Sequence, residues 1–269
     1  MSQAAGISQT SRAELAQVLR GRRFVRPCDV GVALGIDDRV AARKLARWAE
    51  AGWMRRVRRG LYIPVPVDVE HPGSWAEDAM VVATTVWEPC YFTGWTAANH
   101  WGLTEQSFRT VVLKTTVRVR HASVEILNRN YLVTHALPAQ LDWGLTTVWH
   151  ENVRLRIADP ARTVIDTLDM PKLGGGIRHS ADILIAYLAD HEPSQLIDYA
   201  ERLNNRTVYK RLGYLLERLD RSQDSLIEAS LARISSGVSL LDPDGPDNGE
   251  RNARWRLRVN ARVSVEDPS

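Results

Sequence analysis

The chain has 269 residues with a formal net charge of +3, 44% hydrophobic and 25% charged residues, and two cysteines. That length exceeds one ordinary domain, so two domains with separate cores are expected. No apolar run approaches the roughly 20 residues of a bilayer span, and MSQAAGISQTSR lacks the apolar core of a signal peptide, which points to a soluble, cytoplasmic protein. Cys28 and Cys90 stand far apart and form neither a CxxC nor a disulfide framework, so both read as small buried or half-buried side chains.

The small net charge conceals an asymmetry. From Met1 to Tyr62 there are 13 Lys and Arg against 5 Asp and Glu, whereas the remaining residues carry 22 against 27. One end of the chain is therefore a cationic module.

Within that module, Ser11 can cap a helix through Leu19, with Glu14 completing a capping box and Leu15, Val18 and Leu19 as its buried side. A second helix is predicted from Pro27 to Leu34, entered at proline and closed by Gly35. The turn Gly35-Ile36-Asp37 leads into a basic helix capped by Asp37 or Asp38. Its apolar stripe holds Val40, Ala41, Leu45, Trp48 and Ala49, while Arg39, Arg43, Lys44 and Arg47 take the rest of the cylinder. Gly52 stops it. Trp53 to Val57 and Leu61 to Ile63 then read as two short strands around the tip Arg58-Arg59-Gly60. Two helices joined by a tight turn and followed by an arginine-tipped hairpin spell a winged helix-turn-helix, whose second motif helix enters the DNA major groove.

The candidate DNA-binding residues are Arg39, Arg43, Lys44, Arg47, Arg55, Arg56, Arg58 and Arg59. In a merely solvated face acidic residues would be interleaved among them, and only Glu50 is. Arg39 and Arg43, with Ala42 nearby, can meet base edges; Lys44 and Arg47 suit phosphates; the wing arginines suit the backbone or the minor groove.

Proline-punctuated residues 64–73 mark a boundary, giving expected domains of 1–70 and 71–269. Ser74 caps a predicted helix from Trp75 to Ala83, and Thr96 to Trp101 forms another, in which the tryptophans serve as core anchors more readily than as a ligand box. From Arg109 the period becomes two: Val111–Thr116, Val124–Leu127, Tyr131–His135, Thr146–Trp149 and Val153–Ile157 are predicted strands of a mainly antiparallel sheet. Asp159 caps a helix through about Leu168, and Gly174-Gly175-Gly176, lacking a following Lys-Ser or Lys-Thr, reads as a flexible connector. Further helices are predicted at 181–189, 193–203, 206–219 and 224–234. In the helix over 206–219, Val208, Leu212, Leu215, Leu216 and Leu219 form the buried face and Lys210, Arg211, Glu217 and Arg218 the wet one. A terminal strand would present Arg254, Arg256 and Arg258 on one face, either a second nucleic-acid surface or a plain exposed one. The fold class is thus α+β, with a winged helix followed by a larger mixed domain and a helical section near the end.

Catalytic motifs are missing. There is no GxSxG, HExxH or paired Cys/His spacing, the seven histidines are scattered singly, and Asp142, Glu151 and Asp159 show no acidic, acidic, lysine pattern. No enzyme, metal or other cofactor is expected.

Taken together, RRGLYIP, YFTGWTAANHWGLTEQ, DPARTVIDTL and VYKRLGYLLERL, in this order and spacing from about Ser11 to Asn260, resemble the AbiEi-type antitoxins of abortive-infection AbiE toxin-antitoxin systems. The resemblance implies an N-terminal winged helix that binds inverted repeats in its own promoter. It also implies a larger C-terminal domain that neutralises a nucleotidyltransferase toxin encoded alongside, with or without a stable complex. The expected partners are double-stranded operator DNA and that toxin, not a membrane, with the protein a monomer or weak dimer that can bind DNA cooperatively. Residue chemistry alone leaves open a ligand-responsive winged-helix repressor with a C-terminal sensor domain, and after it a DNA-processing enzyme.

Overall fold

The computed structural model describes residues 8–66, 68–71, 73–219 and 223–263. They divide into two compact units, one running to Val82 and including Glu125–Asn130, the other holding the rest.

In the first unit α1 (Gln9–Leu19), α2 (Pro27–Leu34) and α3 (Asp38–Glu50) precede a hairpin of β1 (Met54–Arg58) and β2 (Leu61–Pro64). The cap of α1 is Ser8, which accepts from the Ser11 amide at 3.2 Å, so Ser11 lies inside the helix and not at its start. The bounds of α2 are those its proline and glycine dictate. Gly35 takes φ +66°, a left-handed conformation that glycine adopts without the Cβ clash other residues suffer. Asp37 caps α3 by accepting from the Arg39 amide at 2.8 Å. Leu15, Val18, Val25, Val30, Ala41, Leu45, Trp48, Met54 and Tyr62 form one core, and Val25 adds an isolated antiparallel bridge to Tyr62, which single-residue pairing made invisible to pattern. Cys28 is exposed, contrary to expectation.

The chain enters the second unit through α4 (Ala79–Trp87). This helix begins later than predicted because Asp78, not Ser74, meets its first amides, accepting from Met80 and Val81 at 2.9 and 3.0 Å. Ser74 instead donates to the His71 carbonyl at 2.8 Å. After β3 (Cys90–Phe92) and α5 (Gly94–His100) come β4 (Val111–Thr115), β5 (Ser123–Ile126), β6 (Arg129–His135), β7 (Leu145–His150) and β8 (Val153–Ala158). The sheet order is β5-β6-β4-β3-β8-β7. Antiparallel pairings of β3 with β4 and β7 with β8 are joined by parallel pairings of β4 with β6 and β3 with β8. Strand β3 was not predicted: all three of its residues are buried, so it shows no alternation.

Helices α6 (Pro160–Asp169), α7 (Ile177–Asp190), α8 (Ser194–Leu203), α9 (Arg206–Arg218) and α10 (Asp224–Leu231) complete the core, followed by β9 (Ser239–Leu240), β10 (Glu250–Asn252) and β11 (Leu257–Val259). Asp159 caps α6 as expected, accepting from the Arg162 amide at 2.8 Å. Residues 161–168 are buried on every side of this helix, which packs against α5, α7, α8 and α9. Residues 174–176 are built rather than loose, since Gly174 closes a buried 3-10 turn and Gly176 caps α7.

On α9 two predictions fail for one reason. Lys210 and Arg211, assigned to the wet face, are 0% and 4% exposed because backbone carbonyls await them. Lys210 Nζ donates to Gly237 O at 2.5 Å, and Arg211 donates to the carbonyls of Leu168, Asp169, Leu240 and Leu241 at 2.7 to 3.1 Å. The Arg211 cation thereby satisfies the last carbonyls of α6, where the helix dipole favours positive charge. Opposite it, Trp255 is fully buried against Gly213, at which an added Cβ would lie 1.9 Å from the indole ring. Nothing larger than glycine fits.

Candidate nucleic-acid interface

Helix α3 and the β1-β2 hairpin present the arginines that the sequence singled out. Arg39, Arg43 and Arg47 are exposed on α3. At about 100° per residue they span an arc of about 80°, with Val40 just beyond its edge. Val40 was expected in the buried stripe but is 40% exposed, because the core contacts of α3 are made by Ala41, Leu45 and Trp48. An aliphatic side chain thus borders the arginine arc, one turn from Arg43.

In the hairpin, register shifts between Arg56 and Arg58. Such an irregularity adds a residue to one strand, and here both Arg55 and Arg56 stay out of the core between buried Met54 and Val57. Arg56, Arg58 and Arg59 are exposed.

Two predicted contacts are differently engaged. Lys44, proposed as a phosphate clamp, pairs with Glu14 of α1 and lies 5.5 Å from the centroid of the Trp48 ring, so it ties α1 to α3. The half-buried Arg55 donates to the Trp75 carbonyl, and burial lowers its pKa. By contrast, Arg39, Arg43, Arg47, Arg56 and Arg59 make no ion pair with any described residue. Their charge is available to an outside polyanion.

The C-terminal arginines do not share a strand face. Arg254 and Arg256 lie in the turn between β10 and β11, and only Arg258 is in a strand. Arg254 pairs with Glu217 at 2.6 Å and Arg258 with Asp247 at 2.8 Å.

A buried charge cluster in the second unit escaped sequence reading. Asp166 of α6 accepts from Lys114 Nζ and Arg162 Nε, both at 3.0 Å, through one oxygen, and from Thr93 and Tyr91 hydroxyls at 2.8 and 3.0 Å through the other. Asp169 lies 3.7 Å from the same lysine. Burial alone would raise the Asp166 pKa, but Lys114, Arg162 and the Thr93 hydroxyl outweigh it and hold it below the ordinary carboxylate value. Burial, then the Asp166 charge, pushes the Tyr91 phenol well up. Although two acids and a lysine meet here, four donors occupy the Asp166 carboxylate and leave it no room for a metal or a water. The cluster locks β3, β4 and α6 together. Trp95 and Trp101 act similarly, donating to the carbonyls of Thr110 and Ala158, each at 2.6 Å. Among the described residues there is no group of three His, Cys, Asp or Glu placed to hold a metal, and no helix long and apolar enough to cross a membrane.

Three helices, a bridged hairpin and a cationic third helix define the first unit as a winged helix-turn-helix, the fold of a DNA-binding regulator. Residues 13–65 match the family model described as "Transcriptional regulator, AbiEi antitoxin", so the chain carries an AbiEi-type antitoxin regulator domain. The whole fold is similar to the crystal structure of the RV2827C protein from Mycobacterium tuberculosis, with a TM-score of 0.63 at 15% identity over 94% of this chain and 92% of that one. No curated protein matches the sequence.

Proposed function

We propose that this chain is a DNA-binding antitoxin without catalytic activity of its own. Residues 1–70 repress its own toxin-antitoxin operon, and residues 71–269 neutralise a nucleotidyltransferase toxin encoded beside it. The observation that carries the DNA-binding part is the row of exposed arginines on α3 and the hairpin, five of them with no ion pair among the described residues. The regulator-family match over residues 13–65 supports it. Toxin neutralisation rests on the resemblance of DPARTVIDTL and VYKRLGYLLERL to the antitoxin family.

In this reading Arg39 and Arg43 read guanine edges, Arg47 and Arg56 clamp phosphates, and Arg58 and Arg59 follow the backbone or minor groove. The operator is an inverted repeat bound by two copies. Coexpression with the product of the neighbouring reading frame tests the whole assignment: growth is arrested by that product alone and restored when this chain is present. A neighbour that is harmless by itself, or arrest that this chain does not relieve, contradicts the antitoxin role.

Val40 gives a finer expectation. Its exposed methyls, bordering the arc of Arg39, Arg43 and Arg47, suit the 5-methyl group of thymine. Replacing one thymine of a selected operator by uracil is expected to weaken binding about fourfold, the worth of one buried methyl. Val40→Ala should remove that preference while leaving guanine selection intact, as read by fluorescence anisotropy on the paired duplexes.

A further inference from the structure

In the second unit a cleft of about 860 Å³ opens between the C-terminal turn of α9, strand β10 and the segment running from β11 to Val263. Its volume falls within the roughly 300–1,000 Å³ usual for small-molecule sites. Three arginines line it, Arg218, Arg251 and Arg262, all exposed and none in an ion pair with a described residue.

Among the described residues, two carboxylates of neighbouring segments, Glu217 and Asp247, are engaged elsewhere. Glu217 accepts from Arg254 Nε and from the Trp255 indole N–H, both at 2.6 Å, and Asp247 holds Arg258. Glu250 is the one carboxylate among the described lining residues, against three arginines. The wall bearing Arg262 is fixed as well: Asn260 Nδ2 donates to the carbonyls of Asp242 and Pro246 at 2.7 and 2.9 Å, and its Oδ1 accepts from the Asp242 amide at 2.9 Å. Tyr214, half-buried, and Val259 add apolar surface to the same cleft.

Guanidinium groups present planar forks of donors that match phosphate oxygens in pairs. A concave site with a net positive lining and an aromatic wall suits a compact anion better than the long backbone of a duplex. We infer that the cleft binds a small phosphate-bearing anion of about nucleotide size. This site is separate from the arginines of the first unit and does not depend on the antitoxin role.

Isothermal titration of the full chain with ATP, inorganic pyrophosphate and citrate, at constant ionic strength, tests it. One ATP per chain is expected, displaced by pyrophosphate and not by citrate. Arg251→Glu with Arg262→Glu should raise the dissociation constant tenfold or more, while Arg258→Ala, whose charge is tied to Asp247, should change it less than twofold. Pyrophosphate binding as tight as ATP assigns the site to the phosphoryl groups alone, and tighter ATP binding assigns it to a nucleotide. Should the double variant melt early, Arg251→Lys with Arg262→Lys replaces it and is expected to bind at intermediate affinity. Absence of saturable heat with both phosphates, equal binding of citrate, or unchanged affinity in the cleft variants overturns the proposal. So does loss of binding on changing Arg39, Arg43 and Arg47 instead.

Discussion

Replacing Arg39, Arg43 and Arg47 together by alanine is expected to abolish specific binding to the chain's own promoter while the melting temperature stays unchanged. The three side chains are exposed on α3 and touch no carboxylate among the described residues. Removing them therefore costs the fold little, since exposed changes usually stay within about 0.5 kcal/mol. For DNA the cost is large. Each bidentate arginine-guanine contact is worth about 1–3 kcal/mol of discrimination, and each lost phosphate contact removes the gain from a released counterion. With two base-reading arginines and one clamp gone, affinity should fall by at least a hundredfold in a gel shift. Alanine is also the best helix former, so α3 itself persists. Lys44→Ala, by contrast, should alter stability more than DNA affinity, because its ammonium is held by Glu14.

The second large effect concerns stability. Asp166→Ala leaves Lys114 and Arg162, 2% and 0% exposed, without their shared carboxylate in the core of the second unit. Breaking a buried pair by removing one member costs about 3–5 kcal/mol, since the remaining charge is stranded in a medium that solvates it poorly. Among the described residues, only Asp169 remains as a carboxylate paired with the lysine, at 3.7 Å. Denaturant unfolding followed by calorimetry should show the transition of the second unit shifted or lost in this variant. The pH dependence has a definite sign. Because the folded pKa of Asp166 is depressed, its contribution is fully present above the unfolded carboxylate value of about 4 and is lost as the pH falls through the lower folded value. The stability difference between the native chain and Asp166→Asn should accordingly shrink on acidification below about pH 4.

Local chemistry made much of this fold legible. Proline at the start and glycine at the end bound α2, Asp37 starts α3, and Asp159-Pro160 starts α6, each through satisfaction of free helix-end groups. The arginine-rich hairpin was legible because its strands are short and flank a glycine turn. What stayed hidden depends on distant partners. Lys210 and Arg211 look solvated in any helical projection, and only the carbonyls of residues 168–169 and 237–241 make their burial possible. The Arg162-Asp166 pair has an ordinary helical spacing of four, and nothing in it announces that Lys114 and Tyr91 close around it. Strand β3 is three buried residues without alternation, so its central place in the sheet follows from pairing alone. For the interface, the identity of the cations was readable, but which were spent inside the unit was not: Glu14, thirty residues from Lys44, decides that.

The response of DNA affinity to salt tests the central electrostatic claim most directly. With about four phosphates neutralised per copy by Arg47, Arg56, Arg58 and Arg59, the logarithm of the association constant per bound copy should fall against the logarithm of salt concentration with a slope of about −4. Removing Arg58 and Arg59 should make that slope shallower by about two. A slope near zero for the intact chain, or one that those two substitutions leave untouched, would contradict the placement of this surface against a duplex.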